Sequence, residues 1–332
     1  MSEIARGEIL LRATDVKKHF PVRGGLLHRR GERPVVHAVD GVSLEVRRGE
    51  TLGVVGESGC GKSTLGRCLV RLTDLTSGQV EFAGQDITTL SRRRLRPVRR
   101  DVQLVFQDPY ASLNPRRRVG DVVAEPLQIH GFGSPAQVTK RVAELFDVVG
   151  LSPSHVDRFP HEFSGGQRQR VGIARALAVK PNFLVCDEAV AALDVSIQAQ
   201  VLNLFIQLRE QLHLTYLFIS HDLGVVRHLS DRVVIMYLGR VVETAPTDDL
   251  FASPNHPYTQ GLLAEVPSLT TRKKDFVAIK GEIASPLNPP PGCHFHPRCP
   301  HAASVADNRC KIEQPMLREI AVNRYSACHL NQ

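Results

Sequence analysis

Residues Gly56–Thr64 read GESGCGKST. They fill every specified position of G-x-x-x-x-G-K-[ST], the pattern of a loop that cradles phosphate between a strand and a helix. Gly56, Gly59 and Gly61 let the backbone wind around a phosphate with its N–H groups pointing inward, while Glu57, Ser58 and Cys60 fill the positions between. The helix that follows adds the positive end of its dipole. Lys62 is expected to reach the β- and γ-phosphates, and Ser63, followed by Thr64, to hold Mg²⁺. Cys60 lies beside the helix N-terminus, a position that lowers a thiol pKa; a reactive cysteine and an inert, shielded one are the two expectations there.

Two further stretches carry chemistry. The apolar run Phe183–Cys186 ends in Asp187 and Glu188. Behind a phosphate loop, Asp187 suits a water-mediated Mg²⁺ ligand and Glu188 a base that orients and deprotonates an attacking water. Phe163–Gln167 reads FSGGQ ahead of a helix. Ser164 is a natural N-cap, and Gly165 and Gly166 leave room for a phosphate to approach. One phosphate loop with a second phosphate-binding helix N-terminus implies that the second serves a partner's nucleotide.

The elements that must position these residues follow from periodicity. Thr51–Val55 predicts a strand. Leu65, Cys68, Leu69 and Leu72 mark one face of a helix over Ser63–Leu72. Val102–Phe106, Phe183–Cys186 and Thr215–Ser220 predict strands, and Ile197, Val201, Leu204, Phe205, Leu208 and Leu212 line another helix face. Arg232–Glu243 alternates around Leu238-Gly239 and predicts a hairpin. Strands alternating with helices predict an α/β fold with a mainly parallel sheet. The Gly- and Arg-rich stretch Val22–Pro34 predicts an exposed loop.

The chain has 332 residues, 42% hydrophobic and 23% charged. This is a soluble globular balance, which excludes disorder of the whole chain and suits one large domain with an extension. No apolar run approaches the roughly 20 residues of a membrane helix. The start MSEIARGEILL lacks a secretory pattern, so a cytosolic chain is expected. The net charge of +8 raises nucleic acid, anionic membrane or phosphate ligands as partners. It is concentrated in Arg92, Arg93, Arg94, Arg96, Arg99 and Arg100 and in Arg116–Arg118. No aromatic residue interleaves the first run, so it predicts a solvated face and not a base-stacking platform.

After about residue 250 prolines multiply, and the sequence predicts a mostly irregular tail. Four of the seven cysteines, Cys293, Cys299, Cys310 and Cys328, fall there in the spacing C-x₅-C-x₁₀-C-x₁₇-C. A cytosolic cluster of this kind predicts metal or cluster ligation, with the thiols as organiser of the tail. The spacing lacks the paired C-x₂-C arms of most zinc ribbons, although His294, His296 and His301 are alternative zinc ligands.

In motif identity and order the chain resembles ATP-binding cassette (ABC) ATPases over nearly its whole length. Gly56–Thr64 matches Walker A, Phe183–Asp187 Walker B, and Ser164–Gln167 the signature. Gln107 in VFQDPYASLNP matches the Q-loop, His221 in FISHDL the switch histidine, and Asp194 in AALD the D-loop. Phe20 stands where the family places an aromatic residue against adenine. The resemblance implies a RecA-like parallel core with an antiparallel β edge and an inserted helical subdomain at about 108–165. Residues 1–250 then form the nucleotide-binding domain, and 251–332 an irregular Cys-rich extension. It implies two cassettes closing on ATP, with Ser63, Gln107 and Asp187 around Mg²⁺ and Glu188, His221 and Gln107 in hydrolysis.

SLNPRRRVGDVVAEPL, ALDVSIQAQVLNL, NHPYTQGLL and SPLNPPPGCHFHPRCP further resemble ATPase subunits of dipeptide and oligopeptide importers, most like the second, F-type ATPase of a dipeptide importer. That resemblance implies a [4Fe–4S] cluster on Cys293, Cys299, Cys310 and Cys328, with zinc as the alternative. It implies a second ABC ATPase (a D-type relative or a second copy), two membrane-spanning permease subunits and, indirectly, a solute-binding protein. The expected place is the cytoplasmic face of the inner membrane, with no nucleic-acid partner. Nickel or glutathione import, or a soluble ABC ATPase acting on nucleic acid, are the alternatives. Where the family usually has Pro-Val-Ser-Ala-Leu-Asp after the catalytic glutamate, this chain has Ala189 and Ala191 in place of Pro and Ser.

Overall fold

A computed structural model describes residues 7–22, 34–108, 110, 112–265, 279 and 281–331. Most of the predicted loop at Val22–Pro34 lies outside the described residues; Val22 N–H donates to the Pro34 carbonyl at 2.9 Å. The chain divides into two compact units. One gathers the chain up to Leu10, Val46–Thr51 and Thr89–Ser220; the other gathers Leu11–Glu45, Leu52–Thr88 and the chain from His221 onward.

The first unit is built on parallel strands in the order Val102–Val105, Phe183–Asp187, Thr215–Ser220. The last two are buried along their whole length, as parallel strands covered on both faces must be. Their register places Asp187 opposite Ile219, so the acidic residue closes the C-terminal end of the sheet. Phe205, from helix Val195–Leu212, meets Tyr216 and Phe218 edge-on at 5.7 and 5.8 Å. Burying a side chain of this size stabilises the fold by roughly 1.5–3 kcal/mol. Helix Arg92–Asp101 carries the arginine run; Ser91 caps it and Leu95 is its buried residue, which is the solvated face expected. Helices Val119–Ile129 and Pro135–Val148 precede helix Gly165–Leu177.

The second unit contains a four-stranded sheet in the order Val35–Arg47, Ile9–Pro21, Ser77–Phe82, Gln85–Asp86. Thr51–Val55 runs parallel to Arg232–Tyr237, which returns antiparallel as Arg240–Pro246. The turn between them is Leu238-Gly239, both with positive φ (41° and 77°), the backbone that a two-residue hairpin demands.

The tail is more regular than its prolines suggest. Arg324–Ser326 adds an antiparallel strand to Arg240–Pro246, and Arg318–Ala321 pairs outside it. Helix Pro257–Ala264 begins with proline at its first turn, where the missing N–H costs nothing. Buried Glu243 accepts the N–H groups of Asn255 and His256 at 2.8 Å each, and His256 Nδ1 accepts that of Tyr258. Tyr258 and Phe295 pack with Tyr237, Val55 and Leu250 in one apolar cluster. A sheet extension and an aromatic core thus order this segment alongside the cysteines expected to organise it. No helix among the described residues is long and apolar enough to cross a membrane.

Candidate nucleotide site and thiol cavity

In the second unit the phosphate loop is shaped by close backbone approaches. A Cβ on Gly61 would stand 1.9 Å from the Ala38 carbonyl oxygen, and Gly61 has φ of 103°. A Cβ on Gly56 would stand 2.2 Å from the Met236 carbonyl oxygen. Only glycine fits either place. Helix Lys62–Leu69 opens directly behind the loop. The Lys62 ammonium is buried and donates to the carbonyls of Gly56 and Glu57 at 2.7 and 2.9 Å, so it is held inside the turn it closes.

Cys60 is buried, and burial pushes its thiol above the usual value despite the nearby Lys62. The expectation of a lowered pKa is corrected: desolvation of the thiolate outweighs the helix terminus and the ammonium. Phe20 is exposed near the end of its strand, with Lys18 Nζ 4.8 Å from its ring centre. His221 is exposed and follows Ser220, the last residue of its strand; Asp222 then caps the next helix through the N–H groups of Gly224 and Val225.

In the first unit Glu188 stands at φ of 48°, a left-handed conformation costly for a residue with a side chain. Its N–H donates to the Ile219 carbonyl at 3.0 Å, and Gln107 Nε2 donates to its carboxylate at 2.7 Å. The structure thus brings Gln107 and Glu188 together, 81 residues apart in sequence. Asp187 is buried beside them in the chain. Ser164 is exposed and caps helix Gly165–Leu177 in a reciprocal box with Gln167. Gly166 is also constrained by packing. A Cβ there would meet Ile197 Cγ2 at 2.2 Å, so it is bare for helix packing. Asp194 is the N-cap position of helix Val195–Leu212.

Cys293, Cys299, Cys310 and Cys328 line one small, tight cavity with His256, His296, His301 and His329. Burial, and then the charges of the other thiols, push Cys293 up to about 12. Burial likewise raises Cys328 to about 11 and raises Cys299 and Cys310. The cavity belongs to the aromatic core: Phe295 meets Tyr237 and Tyr258 at 5.3 and 5.4 Å.

Sequence reasoning missed two features. Arg298 from the tail forks onto Glu57 of the phosphate loop at 2.8 and 2.9 Å, and the Glu57 N–H donates to Tyr258 Oη at 2.9 Å. His19, His37 and Asp40 also meet, with ligand atoms within 4.8 Å of one another. Burial would raise Asp40, but Arg240 and then His19 hold its carboxyl below the usual range. Neither feature has a local sequence signal.

Residues 39–191 match the family model described as ABC transporter, and residues 242–305 match the oligopeptide/dipeptide transporter C-terminal region. The oligopeptide transport ATP-binding protein AppF of Bacillus subtilis is 53% identical over 331 residues, covering 98% of each chain. The chain belongs to the ABC transporter ATP-binding proteins. The di/tripeptide transport ATP-binding protein DppF of Pseudomonas aeruginosa is 49% identical to this ABC ATPase, covering 97% of this chain and 98% of its own. Among solved structures, a dimeric ATP-binding cassette in a post-hydrolysis state with ADP and phosphate is similar. It is 29% identical, with a TM-score of 0.63, over 71% of this chain and 98% of its own. The ABC ATPase fold with a mixed α/β sheet, and ATP as its nucleotide, follow from these likenesses.

Proposed function

We propose that this ABC ATPase powers uptake of small peptides from the cytoplasmic face of the inner membrane. It is the ATP-binding subunit of a dipeptide/oligopeptide importer. The observation that carries the reading is whole-length similarity to two peptide-transport ATP-binding proteins, with the phosphate loop intact. In this reading residues 1–250 are the nucleotide-binding domain, with a helical subdomain at about 108–165, and residues 251–332 the importer-type extension. Lys62 holds the phosphates, and Ser63, Gln107 and Asp187 would hold Mg²⁺, whose charge would offset that of the phosphates. Glu188 takes the proton of the attacking water, with Gln107 orienting it, and His221 contacts the γ-phosphate. Phe20 faces adenine, and Ser164–Gln167 reads the nucleotide of the opposite cassette. That cassette is a D-type relative or a second copy. ATP closes the pair because the γ-phosphate adds contacts only in the closed state. Two permease subunits couple closure to transport, and a solute-binding protein supplies the peptide.

Cys293, Cys299, Cys310 and Cys328 would hold a [4Fe–4S] cluster, which would pin the extension together through four iron–thiolate bonds. The donor set fits it. Four thiols line one cavity, the all-sulfur ligand set that such a cluster takes, with zinc as the alternative.

The test is co-expression with two membrane subunits and ATP-driven peptide uptake into vesicles. Intact ATPase without peptide uptake redirects the reading to another small solute such as nickel or glutathione. Anaerobic protein should be brown with about four iron atoms per chain; colourless protein with one zinc overturns the cluster.

A further inference from the structure

We propose that the C-terminal extension is part of the nucleotide site, with Arg298 as a positioning residue that sets the charge and shape of the phosphate loop. The proposal rests on the reading of Gly56–Thr64 as the ATP cradle. Glu57 is the second residue of that loop. A bare carboxylate there repels a polyphosphate. Arg298 neutralises it through a bidentate fork, Nη1 to Oε2 at 2.8 Å and Nη2 to Oε1 at 2.9 Å. The guanidinium side chain is 6% exposed and the carboxylate side chain 22%, so water screens the pair weakly. The same residue is fixed a second time, because its N–H donates to the hydroxyl of fully buried Tyr258. Both contacts come from beyond residue 250: Tyr258 packs with Tyr237 and Phe295, and the Arg298 guanidinium lies 5.8 Å from the Tyr237 ring centre.

The geometry of Arg298 is itself dictated by the tail. It ends the short turn His296–Arg298, its N–H donates to the Phe295 carbonyl at 3.0 Å, and Cys299 follows immediately. A guanidinium stays charged at any working pH, so the contact is permanent and its role is orientation. Arginine is required over lysine because the fork aligns both carboxylate oxygens at once.

The experiment is titration of full-length protein with a fluorescent ATP analogue, alongside steady-state hydrolysis. Arg298→Gln should raise the nucleotide Kd by about tenfold, within the range for coupled groups in contact. It should leave kcat at saturating ATP within a few-fold of wild type. Adding Glu57→Gln should restore part of the lost affinity, because the stranded carboxylate is removed. Arg298→Lys should fall between. A folded Arg298→Gln protein with wild-type Kd overturns the proposal. So does a lower active fraction with unchanged Kd, which marks a purely structural role, or a double variant weaker than Arg298→Gln. Should Arg298→Gln fail to fold, Tyr258→Phe removes the acceptor of the Glu57 N–H, and an unchanged Kd there overturns the proposal equally.

Discussion

Gly166→Ala tests why the signature glycine is bare. The new Cβ would stand 2.2 Å from Ile197 Cγ2 and 3.7 Å from Ile197 Cβ. Carbon atoms rest at about 3.5–4.0 Å, so Ile197 must leave its rotamer or the helices must part by roughly 1 Å. Overpacking of this kind costs about 1–3 kcal/mol. Alanine returns at most about 1 kcal/mol in helix propensity, less in a first turn, so the clash wins. The expected net loss is about 1–2 kcal/mol, a fall in Tm of a few degrees for a unit of this size. Ile197→Ala removes the offending methyl. In that background the cost of Gly166→Ala should vanish, which a double-mutant cycle read by denaturant unfolding measures. Equal cost in both backgrounds refutes the packing argument. Restored stability with hydrolysis still lost would return the glycine to the role of admitting a phosphate.

Glu188→Gln keeps the shape of the group that Gln107 holds but removes the proton acceptor, so hydrolysis should fall at least about 100-fold with nucleotide binding retained. Near-normal turnover identifies another base. Cys60 in the folded protein should react with maleimide at pH 7 at under about one-tenth of the rate of the denatured chain, since burial raises its pKa; equal rates refute its shielding. Asp40 has a lowered folded pKa, so its stabilisation is present above the unfolded value of 3.8 and is lost as pH falls through the folded value. Asp40→Asn should flatten that acid limb in unfolding measurements, and an unchanged limb refutes the assignment.

The parts legible in the sequence are those whose signal is local. Thr51–Val55 is a strand because five apolar or β-branched residues in a row must be buried, and the hairpin at Leu238-Gly239 announces itself by glycine at the turn. The helix behind the phosphate loop was expected to reach Leu72, yet it stops at Leu69. Arg71 turns left-handed at φ of 54° and leaves Leu72 exposed, so an i+7 apolar residue need not share the helix. The tail strand Arg324–Ser326 has no apolar alternation, and the pairing of Ser326 with Glu243 supplies its order. Arg298 and Glu57 are 241 residues apart, and neither residue type hints at the other. For Cys60 the loop position was legible but the burial was not, and burial decides its chemistry.

The two substitutions after Glu188 can be weighed in the same terms. The turn there is closed by backbone groups: Glu188 N–H to Ile219 at 3.0 Å, Ala191 N–H to the Glu188 carbonyl at 3.0 Å, and Leu193 N–H to the Val190 carbonyl at 3.2 Å. None needs the ring of a proline at 189 or a hydroxyl at 191. Ala189 is buried, where a small apolar side chain suits the site. The left-handed backbone at Glu188 is over-determined by these bonds together with Gln107, which is how a strained backbone persists. The loss of Pro and Ser therefore leaves the position of Glu188 intact. Ala191 is exposed, so its missing hydroxyl changes the surface there and not the backbone that holds Glu188.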